Sequence, residues 1–347
     1  MCRCSPQTPD HKRDRGEDER RLPGQPHRCE SARSIASRFV TLHRLSETAI
    51  TLTGPARSPV QMLAEQSYNG HKSVHDADSA AQLGLRGAPI EGPTHFSQFE
   101  PLAAALWGDR WFTSGCISAH FQTMVVEGEQ VEAQLAIDGP GSTSGRIDAR
   151  KSDGTPVLTG TASIGPDHGE TALDQRLAAN VARPPEKFYV LDLLHVGQRG
   201  AADEVANVGF DDHLGNLYPF TLRQKLAAIT EHVGYQQPDA VTPWGAPILP
   251  FEMLSVLTNA FSKSSGFTAR QPSLGLFIDL EVRMLAGPVL VGCSYRLERE
   301  IVALGASRRT ESYWTRTTLF EGPTAVAEVL LHQGVFKASY PGYPGEA

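Results

Sequence analysis

HKSVHDADSAAQLGLRGAPIEGPTHFSQFEPLAAALW, residues 71–107, brings together a polar His-Asp cluster, a turn rich in glycine and proline, and a helix with an apolar face. Phe96, Phe99, Ala103, Leu106 and Trp107 recur mostly at three- and four-residue spacings, which puts them on one buried side of that helix. Gly92 or Thr94 stands at its start, and Gly108-Asp109 ends it. An altered copy of the turn recurs 158 residues downstream, where Gly245-Ala246-Pro247-Ile248-Leu249-Pro250-Phe251-Glu252 matches Gly87-Ala88-Pro89-Ile90-Glu91-Gly92-Pro93-Thr94. An offset of domain size implies two fused units of similar design.

The rest of the chain fits that plan. At 347 residues it exceeds what one hydrophobic core usually organises. Between the helix and residue 166 the pattern changes to strands at 116–121, 130–135, 145–150 and 156–164, with Asp153-Gly154 in a hairpin turn. In the second half, helices are expected at 223–232 and 251–261 and strands at 277–282, 289–297, 312–319 and 326–336. Residues 62–68 read as a short helix. A long helix against an antiparallel sheet, twice over, is an α+β architecture, and joining the two sheets edge to edge hides strand edges that would otherwise aggregate. The expected division is a tail at 1–38, a first unit at 39–166, a linker at 167–187 and a second unit at 188–347. The tail is rich in Arg, Asp, Glu, Pro and Gln and has too few large apolar side chains to order itself.

Composition excludes several classes of function. A net charge of −7 without a basic patch argues against nucleic acid, and no run of 18 or more apolar residues is present to span a bilayer. No apolar signal core follows the basic residues of the tail, so a cytoplasmic location is expected. The five cysteines form no disulfide framework, and Cys2-Arg3-Cys4 lacks the second ligand pair of a zinc site, so no metal and no cofactor are expected. His71 and His75 have zinc-helix spacing without the intervening glutamate. Gly139-Pro140-Gly141 opens no helix and is not a nucleotide cradle.

The segment from Val74 to Gly92, VHDADSAAQLGLRGAPIEG, resembles the double hotdog proteins, in particular the MaoC-like acyl dehydratases and R-specific enoyl-CoA hydratases. Phe121, Gly128-Glu129-Gln130-Val131 and Asp153-Gly154-Thr155-Pro156-Val157-Leu158-Thr159-Gly160 add to the likeness, which covers about 40–165 well and 188–338 more loosely. It implies two tandem hotdog units and an acyl-CoA or acyl-carrier-protein thioester as partner, with a homodimer as the assembly. It also implies addition of water to a 2-enoyl thioester, or the reverse. The sequence departs from the pattern where the family carries an Asp five residues before the histidine, here Gly70, and where Ala77 replaces an acid or amide.

That chemistry needs a base, an acid and donors for the thioester oxygen. His75 is the base or acid candidate because imidazole titrates near neutrality; the plain alternative is a loop histidine bonded to backbone. Asp76 is the candidate orienting carboxylate and Asp78 a candidate contact, each with a helix-capping alternative. Gly92 offers a backbone N–H at the helix start, where the dipole favours an oxyanion. Thr94, His95 and Glu252 are candidate substrate contacts. His95 could equally pack beside Phe96 and Phe99, and Glu252 is a cap or a buried carboxyl of raised pKa. In the second copy Pro250 replaces Gly92 and brings no N–H, so chemistry is expected in the first half even though His232 lies near the position of His75. Two other readings stay open: a thioesterase using Glu252 or Asp76, and a non-catalytic acyl-CoA or lipid-like ligand binder.

Overall fold

The computed structural model describes residues 40–44, 49–183, 187–229, 231, 233–260 and 266–344. The expected tail and His232 lie outside them. Among the described residues one sheet of eleven strands forms the body. In chain order its strands are β1 (Thr41–Arg44), β2 (Ile50–Thr53), β5 (Gly115–Phe121), β6 (Val131–Ile137), β7 (Ser144–Lys151), β8 (Pro156–Ile164), β9 (Glu204–Ala206), β10 (Gly275–Met284), β11 (Tyr295–Ala306), β12 (Thr310–Glu321) and β13 (Thr324–Phe336). A separate hairpin pairs β3 (Ser67–Tyr68) with β4 (His71–Lys72). Across the large sheet the order is β1-β2-β6-β7-β8-β5-β10-β13-β12-β11-β9.

The first unit therefore meets the second where β5 pairs antiparallel with β10, Ile117 opposite Val282 and His120 opposite Asp279. Alternation makes most strands one-sided: β6 reads buried, half-buried, buried along its whole length, with Val131, Ala133, Leu135 and Ile137 facing in. On the concave side lie two central helices, α2 (Phe96–Trp107) and α6 (Phe251–Asn259), which touch each other. Trp111, on the short α3 (Arg110–Ser114), stacks between Trp107 and Phe251 with ring centroids 5.8 Å and 4.6 Å away. This stack fuses the two cores into one apolar cluster.

Within the expected linker, α4 (Ala172–Val181) carries a capping box between Thr171 and Asp174 and lies on the outer side of β5, β8, β10 and β11. Under it His120, Asp279 and His332 stand side by side. Asp279 accepts from both imidazole Nδ1 atoms at 2.7 and 2.6 Å and pairs with Arg176 of α4 at 2.6 Å. The central strands are thus buried on both faces.

Two local expectations fail. Residues 62–68 form no helix, because Asn69 and Gly70 both take positive φ and turn β3 back onto β4. The strand expected at 289–297 begins only at Tyr295; the preceding residues pass under the second turn, where Leu249 N donates to Val289 O at 2.9 Å. In the first unit the turn is held by a bond one position earlier in the repeat, from Ile90 N to Val125 O at 2.8 Å.

Candidate active site

A cavity of about 750 Å³ lies between the first turn, the sheet and the segment after α6, and both units contribute to its wall. Its first-unit wall is built around Pro89–Gly92. The short α1 (Ala77–Gln82) is capped by Asp76, whose Oδ1 accepts from Ser79 N at 2.9 Å. Gly84, at φ +68°, then turns the chain, and residues 85–91 run back past His75. A 3₁₀ turn, Gly92–His95, leads into α2.

His75 Nδ1 donates to the Pro89 carbonyl at 2.6 Å. A carbonyl only accepts, so Nδ1 carries the proton and Nε2 keeps its lone pair. Burial lowers the pKa of His75 to about 4, the Pro89 bond opposing and the Lys225 charge adding, so the ring is neutral at pH 7. The carboxyl of Glu91, 7 % exposed on the same wall, is raised to about 7 by burial, with Lys225 opposing and Glu252 adding. Gly92 follows it, and its N–H has no protein acceptor among the described residues. A Cβ at Gly92 would sit 2.9 Å from the Phe121 ring, so only glycine lets this backbone approach β5 so closely. Tyr218 also lines the cavity, its hydroxyl held protonated by burial and by Glu91.

Behind the turn sits a buried charge pair. Lys225, from α5 (Leu222–Ala228), contacts Glu252 at 2.9 Å and donates to Thr94 Oγ1 at 3.0 Å, while Ser97 donates to the other Glu252 oxygen. Burial works against the ammonium, but Glu252 and Glu91 outweigh it and hold Lys225 protonated. His95 donates from Nδ1 to Gln98 Oε1 at 3.2 Å, Gln98 being oriented by its bond to Val131 O. Its pKa is also lowered to about 4, chiefly by burial.

Of the residues expected from sequence, the fold brings His75, Gly92 and His95 to the cavity. Asp76 does not line it, since its carboxylate is committed to capping α1; Asp78 is exposed in the first turn of that helix. Thr94 and Glu252 lie behind the wall, drawn there by the Lys225 ammonium, and act on the cavity only by holding and charging the turn. Gly70 is a hairpin position at φ +83°, where an aspartate would strain the backbone although nothing crowds its side chain. Sequence reading missed Glu91, Tyr218 and Lys225. Glu91 was within the quoted turn, and an acid between Ile90 and Gly92 was the available signal; nothing in the sequence ties Tyr218 or Lys225 to the first turn. In the second unit, the N-terminus of α6 is already filled, because Glu100 Oε1 accepts from Phe251 N at 2.7 Å.

Among the described residues no group of His, Cys, Asp and Glu is arranged to hold a metal ion, and no helix is long and apolar enough to cross a membrane. Neither the family models nor the curated proteins give a match to the sequence. Solved structures do. A protein assigned as a MaoC domain dehydratase from Chloroflexus aurantiacus J-10-fl superposes with a TM-score of 0.53 at 13% identity, covering 90% of this chain and 99% of its own. A protein from Mycobacterium tuberculosis described as having a double hotdog fold superposes with a TM-score of 0.51, also at 13% identity, covering 86% of this chain and 96% of its own. With one sheet shared by two helix-and-sheet units, this chain has the double hotdog fold.

Proposed function

We propose that the protein is a hydratase or dehydratase of acyl thioesters, working at the first-unit turn. The observation that carries this reading is the wall itself, where a neutral imidazole, a carboxyl titrating near 7 and an unpartnered backbone N–H meet the same cavity. The fold shared with a protein assigned as a MaoC domain dehydratase supports the choice of substrate class.

In hydration, His75 Nε2 takes a proton from water as its oxygen bonds to C3 of the enoyl thioester. The C2–C3 π electrons move toward the thioester oxygen, where the Gly92 N–H and the dipole of the turn stabilise the developing charge. Protonated Glu91 then delivers its proton to C2. Dehydration runs the same steps backwards, with the Glu91 carboxylate removing the C2 proton and imidazolium protonating the leaving hydroxyl. The division of labour follows from environment: burial keeps His75 unprotonated and Glu91 partly protonated at the same pH. Thioester hydrolysis through Asp76 or Glu252 has less support, because neither carboxylate lines the cavity.

The test is to incubate the full chain with enoyl- and 3-hydroxyacyl-thioesters while following enone absorbance and free thiol together. Change in enone absorbance without thiol release is expected. Thiol release as the main event would replace this reading with a thioesterase, and binding with neither signal would leave a ligand carrier.

A further inference from the structure

The cavity continues from the turn across the inner face of the second unit's sheet, and that face is unexpectedly polar. Phe121 at the end of β5 lies under Gly92, and on the next strands Phe277 of β10 stands opposite Gln333 of β13, which stands opposite Tyr313 of β12. Three strand spacings separate Phe121 from Tyr313, roughly 14 Å of cavity floor. The near part of this floor is apolar and the far part is not. Tyr313 donates to Gln333 Oε1 at 2.6 Å, which fixes the amide so that its nitrogen, without a protein acceptor among the described residues, is left for a ligand. Thr315, 7 % exposed, lines the same end with no side-chain bond of its own among the described residues.

Arg299 completes this end. Its Nε and one terminal nitrogen form a two-pronged pair with Glu204, both contacts 2.8 Å, and the same terminal nitrogen reaches Thr258 O. Its other terminal nitrogen has only a 3.4 Å contact with Thr317 Oγ1. The pair is neutral overall, and among the described residues no other charged side chain lines this end. A plain hydrocarbon chain would strip water from the Gln333 amide and the Thr315 hydroxyl and give nothing back, which costs affinity. A carboxylate would meet a cation already neutralised by Glu204.

We propose that the second unit selects acyl groups carrying a neutral oxygen, a ketone or hydroxyl, near the end remote from the thioester, with Gln333 and Thr315 as the specificity-determining residues. This rests on the acyl-thioester reading above. Discrimination of this kind arises because a site built to hydrogen-bond a group rejects the analogue that lacks it.

The experiment measures Kd by calorimetry for the full chain with coenzyme A thioethers, which can be neither hydrated nor hydrolysed. Chains of equal length, spanning the cavity floor, end unsubstituted, with a ketone, with a hydroxyl, or with a carboxylate. The ketone or hydroxyl form should bind at least ten-fold tighter than the unsubstituted chain, and the carboxylate should gain nothing. Gln333→Leu and Thr315→Val should each shrink that ratio several-fold; using both guards against one variant failing to fold. Equal or tighter binding of the unsubstituted chain overturns the proposal, as does a full preference surviving in both variants or binding of none of the thioethers. Turnover of the matching enoyl thioesters is read separately: turnover without the preference defeats this inference alone, and the preference without turnover defeats the catalytic reading alone.

Discussion

In the proposed hydration, Glu91 and His75 divide one task through opposite effects of the same burial. Hydration requires His75 without its proton and Glu91 with it, so kcat/KM should rise through about pH 4 and fall through about pH 7. Glu91→Gln should lose about 10²–10⁴-fold in rate and flatten the alkaline limb; a surviving limb near pH 7 would assign it to another group. Stability gives an independent reading. A carboxyl whose folded pKa lies above its unfolded value favours the native state at low pH, and that contribution is lost as pH rises from about 4.5 through about 7. Glu91→Gln should therefore gain stability over the parent, by roughly 3 kcal/mol, in urea unfolding at pH 8 but not at pH 4.5. For His75 the sign reverses: its lowered pKa opposes folding at acid pH, so His75→Ala should resist acid better while losing about 10²-fold or more in turnover. At Gly92 the obstacle is shape. Gly92→Ala forces the Phe121 ring aside and should cut kcat by about ten-fold or more with little change in the pH profile.

Among the elements, the two central helices are joined more tightly than a repeat requires. Glu100 of α2 occupies the N-terminus of α6, and Trp111 lies stacked on Phe251, so neither helix is fixed by its own unit alone. This joint also explains why Pro250 can replace the glycine of the first turn: the second helix start holds a carboxyl from its neighbour instead of a ligand oxygen. Trp111→Ala leaves a cavity at the joint and should cost about 3–5 kcal/mol, measured as a lower urea midpoint with an unchanged slope. A cost below about 1 kcal/mol would mean that the helices are held by the sheet alone.

At the scale of the molecule, β5 and β10 form the seam, and α4 closes it from outside through Arg176 and the Asp279 carboxylate, which its histidine neighbours help hold at a pKa of about 2 despite burial. Separating 39–166 from 185–347 would expose both edges and the apolar inner face beside them. Each half expressed alone should be insoluble or lack a cooperative unfolding transition, and mixing the two should restore solubility. A half that is monomeric and folds cooperatively would show the seam to be dispensable. The cavity spans the seam, with the His75–Glu91 wall coming from one unit and the polar end from the other.

The sequence by itself determined the architecture. Period-two alternation in β6, the three-and-four spacing of α2 and the repeated Gly-Ala-Pro-Ile turn are local patterns, and local patterns report which face is buried. It also singled out His75 and Gly92, both of which line the cavity, because both sit within a few residues of that turn. Only the tertiary structure decided which carboxylate lines the cavity. Asp76 and Asp78 are nearer His75 along the chain than Glu91, but a helix cap turns the first aside and solvent takes the second. Glu91 acquires its pKa from burial and from Lys225, 134 residues away in sequence, and the polar end of the cavity is assembled from strands still further along the chain. Burial and long-range charge depend on distances that the order of residues does not record.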